Sequence, residues 1–98
     1  MELIFKSKFK KNAQKMIRWN IKLKDRINEC IIDFSEKLYY SKYYRKQLKN
    51  LWENIHELEI WWDIRILIEL LIIEDKCYFL NIWTHSSLNL IWNKKVKL

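Results

Sequence analysis

The chain has 98 residues, 50% of them hydrophobic and 32% charged, with a formal net charge of +7. This length suits one domain with a core of its own, so we expect a single domain spanning 1–98. Arg65 and Glu69 interrupt the longest apolar runs, which argues against a membrane span. Only Leu3–Phe5 precede the first lysines, too few apolar residues for a secretory signal.

The positive charge is concentrated in the first half of the chain. Residues 1–49 contain 14 Lys+Arg and 5 Asp+Glu, a net of +9, whereas residues 50–98 contain 5 and 7, a net of −2. A basic half suits a polyanion, either nucleic acid or an acidic protein. A solvated lysine-rich surface gives the same composition, so charge alone does not choose between them.

The two cysteines indicate a reducing compartment. Cys30 and Cys77 both lie within apolar patterns, and no export signal precedes them. We therefore expect two reduced core thiols and a cytoplasmic protein. One disulfide between them is the alternative.

Residues 1–39 predict a short strand followed by a helical hairpin. Glu2–Phe5 is typical of a strand. From Ser7, a suitable N-cap, to about Arg18 the apolar residues share one helical face. After a break at Trp19-Asn20, a second helix is predicted from Ile21 to about Tyr39. Its apolar residues follow one another at spacings of 4, 3, 1, 3 and 4: Leu23, Ile27, Cys30, Ile31, Phe34 and Leu38.

Residues 40–54 form a basic, aromatic connection. Its candidate RNA-binding residues are Tyr44, Arg45, Lys46 and Lys49. Interleaved rings and cations can stack bases and hold phosphates. Tyrosines that only cover the edge of a sheet would produce the same pattern, and both interpretations stay open.

Residues 55–91 predict an antiparallel sheet and a C-terminal tail, and the burial pattern sets the register of its strands. A three-residue loop at 61–63 keeps Glu57 and Glu59 off the apolar face, where carboxylates would be costly. This loop places Glu59 opposite Arg65.

A second three-residue turn, at 74–76, would place Arg65 opposite His85. Glu59, Arg65 and His85 are then predicted in one row on the sheet face that the helices do not cover, with opposed Cβ atoms about 5 Å apart. Two residues of the row suit phosphate chemistry. Arginine offers a fork of donors to phosphate oxygens, and histidine transfers protons near neutrality.

The two carboxylates near this row have more than one possible role. Glu59 or Asp63 could orient the imidazole or act as a base, while a simple ion pair between Glu59 and Arg65 is equally natural. No metal or cofactor is expected. The histidines and cysteines lack metal-ligand spacing, and the chain has no glycine for a phosphate-binding loop.

The segment HELEIWWDIRILIELLIIEDKCYFLNIWTHSSL resembles the C-terminal half of the RelE/ParE toxin superfamily, in its RelE/YafQ-like mRNA interferase branch. The matching features are an E-L-x-I strand, a D-x-R-I-L-I-E strand, a short acidic turn and a Y-F-L-N-I strand leading into T-H-S-S-L. The resemblance implies an α+β fold in which an N-terminal strand and a two-helix hairpin pack on a three- to four-stranded antiparallel sheet.

The resemblance also implies a function: the toxin of a type II toxin–antitoxin system, an endoribonuclease that cuts mRNA on the ribosome without a metal. The RNA's own 2′-hydroxyl attacks the adjacent phosphate. By position, Arg65 would stabilise that phosphate, His85 would act as general acid or base, and Asp63 would be a third catalytic residue. Lys46 and Lys49 would hold the RNA. The implied partners are mRNA and an acidic antitoxin, with operator DNA bound only through the antitoxin complex.

The chain departs from this branch at three positions. Members tend to have histidine in place of Gln47, a basic residue or histidine in place of Glu59, and Phe or Tyr in place of Asn89. Two alternatives therefore stay open: a ParE-like toxin that inhibits gyrase, and a catalytically inactive module that binds an antitoxin or nucleic acid. The T-H-S-S-L ending favours RNA cleavage.

The chain has no glycine but six tryptophans. Trp61, Trp62 and Trp83 stand where the family commonly has glycine, and Trp19 and Trp92 precede asparagine, as a glycine at a chain break would. One hypothesis is that the source reads UGA as glycine at all six positions. The alternative is six genuine tryptophans, with Trp83 packing on the sheet or stacking a base. UGG codons at these positions would exclude the first hypothesis.

Overall fold

A computed structural model describes residues 1–48, 54–61 and 63–84. This part of the chain confirms the predicted fold class, two helices on a sheet in an α+β arrangement. The elements, in chain order, are β1 (Glu2–Phe5), α1 (Ser7–Trp19), α2 (Lys22–Lys37), a 3-10 turn (Leu38–Tyr40), β2 (Tyr44–Gln47), β3 (Ile55–Trp61), β4 (Ile64–Leu71) and β5 (Lys76–Thr84).

The helices form where their apolar residues recur on one side. In α2 the buried residues Leu23, Ile27, Cys30 and Phe34 are spaced 4, 3 and 4 apart, so they face the sheet together. The predicted N-cap of α1 is wrong. Ser7 is the first helical residue, and the extended Lys6 is the cap, without a side-chain hydrogen bond.

The sheet is larger than predicted and mixed rather than purely antiparallel. Its five strands have the order β1-β5-β4-β3-β2. β1 pairs with β5 in parallel, because α1 and α2 carry the chain away from β1 before the antiparallel strands begin. β2 lies in the basic connection and pairs with β3 at the edge. Three of its four residues are exposed, so it lacks the apolar alternation that identifies an inner strand.

The register between β3 and β4 agrees with the prediction. Glu59 lies opposite Arg65 and Leu58 opposite Ile66. A shift near the turn then pairs Trp61 with Ile64.

The predicted register between β4 and β5 is wrong. Arg65 lies opposite Trp83 rather than His85, and Leu67 lies opposite Asn81 rather than Trp83. The ladder also shifts between Leu67 and Ile68.

The cause of this error lies in the turn. The chain turns at residues 72–75, because Leu71 is the last residue of β4 and pairs with Lys76. Ile72 and Ile73, which look like a continuing strand, are 56% and 101% exposed. Asp75 adopts a φ of 57°, which its short polar side chain tolerates better than most.

Helices and sheet enclose one apolar core. It contains side chains from α1, α2, the turn before β2 and the helix-facing side of the sheet: Phe9, Ala13, Leu23, Ile27, Cys30, Phe34, Tyr43, Leu58, Ile60, Ile66, Ile68, Leu70, Cys77, Phe79 and Ile82. Cys30 and Cys77 are both free, and burial raises the pKa of each thiol to about 12. Both thiols are therefore protonated and unreactive at neutral pH.

No helix in the described ranges is long and apolar enough to cross a membrane.

Three of the six tryptophans fall within the described residues. Trp19 is 91% exposed at the end of α1, Trp61 ends β3, and Trp83 lies in β5. The positive backbone φ values in the described ranges belong to Leu38 and Asp75, so none of these tryptophans has left-handed backbone. Trp52, Trp62 and Trp92 lie outside the described residues. The codon hypothesis thus gains no support from backbone strain at the three that are described.

Substitution of Phe79 tests the packing of the apolar core. Its ring is fully buried, 4.9 Å from that of Phe5 and 5.6 Å from that of Phe9 between centroids. We expect Phe79→Ala to lower the free energy of unfolding by about 3–5 kcal/mol, because it removes apolar contacts and leaves a cavity. Urea denaturation measures this. Ile73→Ala, at a fully exposed position, should change stability by less than about 0.5 kcal/mol, and equal losses in the two variants would contradict the core described here.

Candidate active site

The sheet face opposite the helices carries a group of charged residues on its inner strands. Because side chains alternate along a strand, Leu58 and Ile66 point into the core while Glu57, Glu59 and Arg65 point the other way. Arg65 is 5% exposed and Glu57 is also 5% exposed. Charged groups are seldom this buried unless they are paired, and these are.

Arg65 belongs to a charge quartet with Arg45, Glu57 and Glu59. Its Nη1 lies 2.9 Å from Glu59 Oε1, and its Nε lies 3.4 Å from Glu57 Oε1. Arg45 makes matching contacts with the other oxygens: its Nη1 lies 3.1 Å from Glu59 Oε2, and its Nε lies 3.4 Å from Glu57 Oε2. Arg65 Nη1 also donates a hydrogen bond to the Trp61 carbonyl at 3.0 Å. Each carboxylate therefore bridges both arginines.

The two carboxylates differ in accessibility. The Glu57 side chain is 7% exposed, whereas that of Glu59 is 35% exposed. On the cationic side, the Arg45 side chain is 43% exposed and that of Arg65 only 6%. Glu57 and Arg65 thus form the inner pair of the quartet, and Glu59 and Arg45 form the outer pair.

Of the other predicted site residues, Asp63 and Trp83 fall within the described ranges. Asp63 is exposed in the turn before β4, two residues ahead of Arg65. Trp83 lies opposite Arg65 on β5, and its indole Nε1 is buried with no hydrogen-bond partner in the part of the chain described here. His85 and Lys49 lie outside the described residues, as does Asn89.

The predicted RNA-binding residues lie on the edge strand β2. Tyr44 is half-buried, and Arg45 is held in the charge quartet. Lys46 and Gln47 are exposed at the edge. Of the alternating rings and cations seen in the sequence, the polar residues of β2 form an exposed surface, whereas Tyr44 is turned inward.

Two members of the quartet are not predicted as part of this row from the sequence: Glu57, and Arg45, which the sequence indicates only as an RNA-binding candidate. Glu57 shares the strand alternation that identified Glu59, so the signal for it was present. The position of Arg45 had no such signal, because a register shift between Tyr44 and Lys46 sets its direction. A bulge of this kind re-aims a side chain without marking the sequence.

His56 is a core residue on the opposite face. It is 4% exposed, and its Nδ1 lies 3.0 Å from the Tyr44 hydroxyl. The rings of Tyr39 and Tyr44 pack beside it, with centroids 5.6 Å and 5.7 Å away. Burial lowers the pKa of His56, because the apolar surroundings disfavour the imidazolium.

Within the described ranges, no group of three or more His, Cys, Asp or Glu residues is arranged to hold a metal.

The chain shares its fold with solved structures of E. coli YafQ and of a Helicobacter pylori toxin. A metal-bound toxin from Helicobacter pylori superimposes with a TM-score of 0.76 at 16% identity, covering 90% of this chain and 98% of that chain. The E. coli DinJ-YafQ toxin–antitoxin complex gives a TM-score of 0.73 at 15% identity, covering 89% and 94%. E. coli YafQ from strain BL21(DE3) gives 0.71 at 15% identity, covering 89% and 96%. No protein-family model and no curated protein matches the chain.

The lowered pKa of His56 predicts a pH dependence of stability. As the pH falls through about 6.5 the unfolded chain takes up a proton, but the folded state resists protonation of His56 until its lower pKa is reached. We therefore expect the free energy of unfolding to fall as the pH drops from about 6.5 to the lowered pKa of folded His56. Below that pKa, His56 should cause no further change.

Chemical denaturation between pH 8 and pH 5 measures the effect, with His85→Gln as the background so that one histidine titrates. His56→Gln in that background should remove the slope near pH 6. An unchanged slope would show that His56 is not its source.

Proposed function

We propose that this chain is the toxin of a type II toxin–antitoxin system and an endoribonuclease that cleaves mRNA, with the ribosome as the site of action. The main support is Arg65, a guanidinium held between carboxylates on the face of a toxin fold that its helices leave free. Its rigid fork of donors matches the oxygens of a phosphodiester. Its burial keeps that fork in one orientation.

The reaction needs no group beyond the protein and the RNA. The 2′-oxygen forms a bond to phosphorus and loses its proton to a base, while the bond from phosphorus to the 5′-oxygen breaks and that oxygen gains a proton from an acid. Arg65 would offset the negative charge that develops on the phosphate oxygens. His85 and Asp63 are the residues we propose for the two proton transfers, since an imidazole and a carboxylate can each accept or donate a proton.

Strand β2 would guide the RNA to this site. Arg45, Lys46 and Lys49 would contact phosphates, with Tyr44, Gln47 and Trp83 as further RNA contacts. Lys46 and Gln47 are exposed on the same edge of the sheet from which Arg45 reaches the charge quartet. An RNA strand that crossed the sheet from this edge, over β3, would pass from the cations of β2 to Arg65 on β4.

The proposed protein partner is an acidic antitoxin. YafQ of E. coli is in complex with DinJ, and the net charge of +9 over residues 1–49 suits a partner of opposite sign. We propose that operator DNA is bound only through that complex, that the toxin acts in the cytoplasm, and that no cofactor takes part.

One observation favours a second candidate, a binding module without catalytic activity. Both arginines of the charge quartet are already neutralised by Glu57 and Glu59, so the site as it stands offers no unpaired arginine to a substrate. Such a protein would bind an antitoxin or RNA without cutting it.

Induced expression tests the catalytic function. We expect growth arrest with the unchanged chain, and relief of arrest in Arg65→Lys and His85→Ala, since each removes a group required in the transition state. Arg65→Lys keeps the positive charge next to Glu57 and Glu59, so the fold should survive, and circular dichroism checks that it does. Purified protein should cleave RNA in the presence of EDTA.

Arg18→Lys, the same substitution at an exposed arginine at the end of α1, is the matched control and should remain toxic. Relief by all three variants would point to a general effect on folding or expression. Undiminished toxicity in folded Arg65→Lys and His85→Ala would remove both residues from the mechanism.

Lys46 tests the RNA path separately. With a non-cleavable RNA analogue, Lys46→Gln should reduce the slope of log Kobs against log salt by about 0.7, because one phosphate contact is lost from a single strand. Lys24→Gln, on the exposed surface of α2, should leave the slope unchanged. Filter binding at several salt concentrations measures both, and equal changes would contradict a specific role for β2.

A further inference from the structure

We propose that Arg45 and Arg65 form a two-arginine anion site, that Glu59 occupies it in the free protein, and that a phosphodiester replaces Glu59 when RNA binds. The identity of this ligand rests on the proposed function, whereas the site itself rests on the geometry of the charge quartet.

The first support is the way in which Glu59 is held. Its two carboxylate oxygens are divided between two arginines, Oε1 with Arg65 Nη1 at 2.9 Å and Oε2 with Arg45 Nη1 at 3.1 Å. The two non-bridging oxygens of a phosphodiester can be divided between two guanidinium groups in the same way. The side chain of Glu59 thus occupies the position that a phosphate would take.

The second support is the charge balance. Glu57 is almost fully buried and contacts the Nε atoms of both arginines at 3.4 Å, so it stays in place when Glu59 moves. The two arginines and Glu57 then carry one net positive charge, and a phosphodiester carries one negative charge. Exchange of Glu59 for the ligand therefore keeps the site neutral, as a partly buried site requires.

The third support is an unused donor. Arg65 Nε is buried and has no hydrogen-bond partner within the described ranges, since its 3.4 Å contact with Glu57 is an ion pair without hydrogen-bond geometry. A buried donor without a partner is costly in a purely structural ion pair. It indicates that the quartet is not an optimised structural ion pair; the phosphate itself would bind at the Nη1 atoms that Glu59 leaves.

The displaced carboxylate also has an alternative location. Glu59 lines a cavity of about 310 Å³, and Arg26, Lys42 and the ring of Trp61 lie around the same cavity. Both cations already contact Glu29, and they could share a second carboxylate once Glu59 leaves Arg65. The side chain of Glu59 is 35% exposed, so it can make this movement without opening the core.

Glu59→Gln tests the site. The amide keeps the shape of the side chain but no longer competes as an anion, so binding of inorganic phosphate and of the dinucleotide TpT should tighten by roughly tenfold, the effect of losing one charge-assisted contact. TpT has no 2′-hydroxyl and cannot be cleaved by the proposed reaction. Binding is followed by NMR from the Nε–Hε signals of Arg45 and Arg65.

Glu36→Gln is the matched control, because it makes the same change in net charge at an exposed glutamate of α2 that belongs neither to the charge quartet nor to this cavity. Equal tightening in both variants would show a general electrostatic effect and overturn the proposal. No tightening in Glu59→Gln would overturn it as well.

A second measurement examines the two arginines. In the Glu59→Gln background, Arg45→Lys should restore weak binding of TpT. Arg45 contacts Glu57 through Nε and would bind the phosphate through Nη1, and the single ammonium group of a lysine cannot make both contacts. Retention of tight binding would show that Arg45 is not part of the site. Because these are equilibrium measurements on an uncleavable ligand, absence of RNA cleavage would reject the proposed function and leave the anion site standing.

Discussion

The burial of one guanidinium, that of Arg65, constrains the sheet more than any other single interaction. An ionised side chain at 5% exposure must be paired, and loss of one partner from a buried pair costs about 3–5 kcal/mol. Arg65 therefore requires carboxylates on the neighbouring strand at a fixed register. The pairing of Glu59 with Arg65 provides this, and a slip of β3 by one residue would turn both glutamates into the apolar core.

The same constraint explains why one hairpin could be predicted from sequence and the next could not. Between β3 and β4, alternating carboxylates and apolar residues penalise every register but one. Between β4 and β5, the run Leu70–Ile73 is apolar throughout, so alternation does not show where the strand ends. Alternation therefore predicts the turn two residues too late and sets His85 opposite Arg65, where the structure has Trp83.

The helices and the core were predictable because burial gives a strong periodic signal. Leu23, Ile27, Cys30 and Phe34 lie on one face of α2, as their spacing indicates. The candidate site was only partly predictable. Arg65 and Glu59 follow from alternation, whereas Arg45 arrives through a bulge in an edge strand that has no hydrophobic pattern. Tertiary pairing, which a single sequence does not display, decides the direction of such a side chain.

The charged residues of the edge strand β2 have two consequences: they suppress pairing with other chains, and they place positive charge near the candidate site. An exposed edge invites pairing with other chains, and short length, bulges and charged side chains suppress this. β2 has four residues, a register shift and the cations Arg45 and Lys46. Lys46, which lies outside the charge quartet, also creates a positive border beside it. Because the quartet is neutral while Glu59 is in place, attraction of a polyanion would begin at this border, and the exchange at Arg65 would follow only when a phosphate arrives between the two arginines.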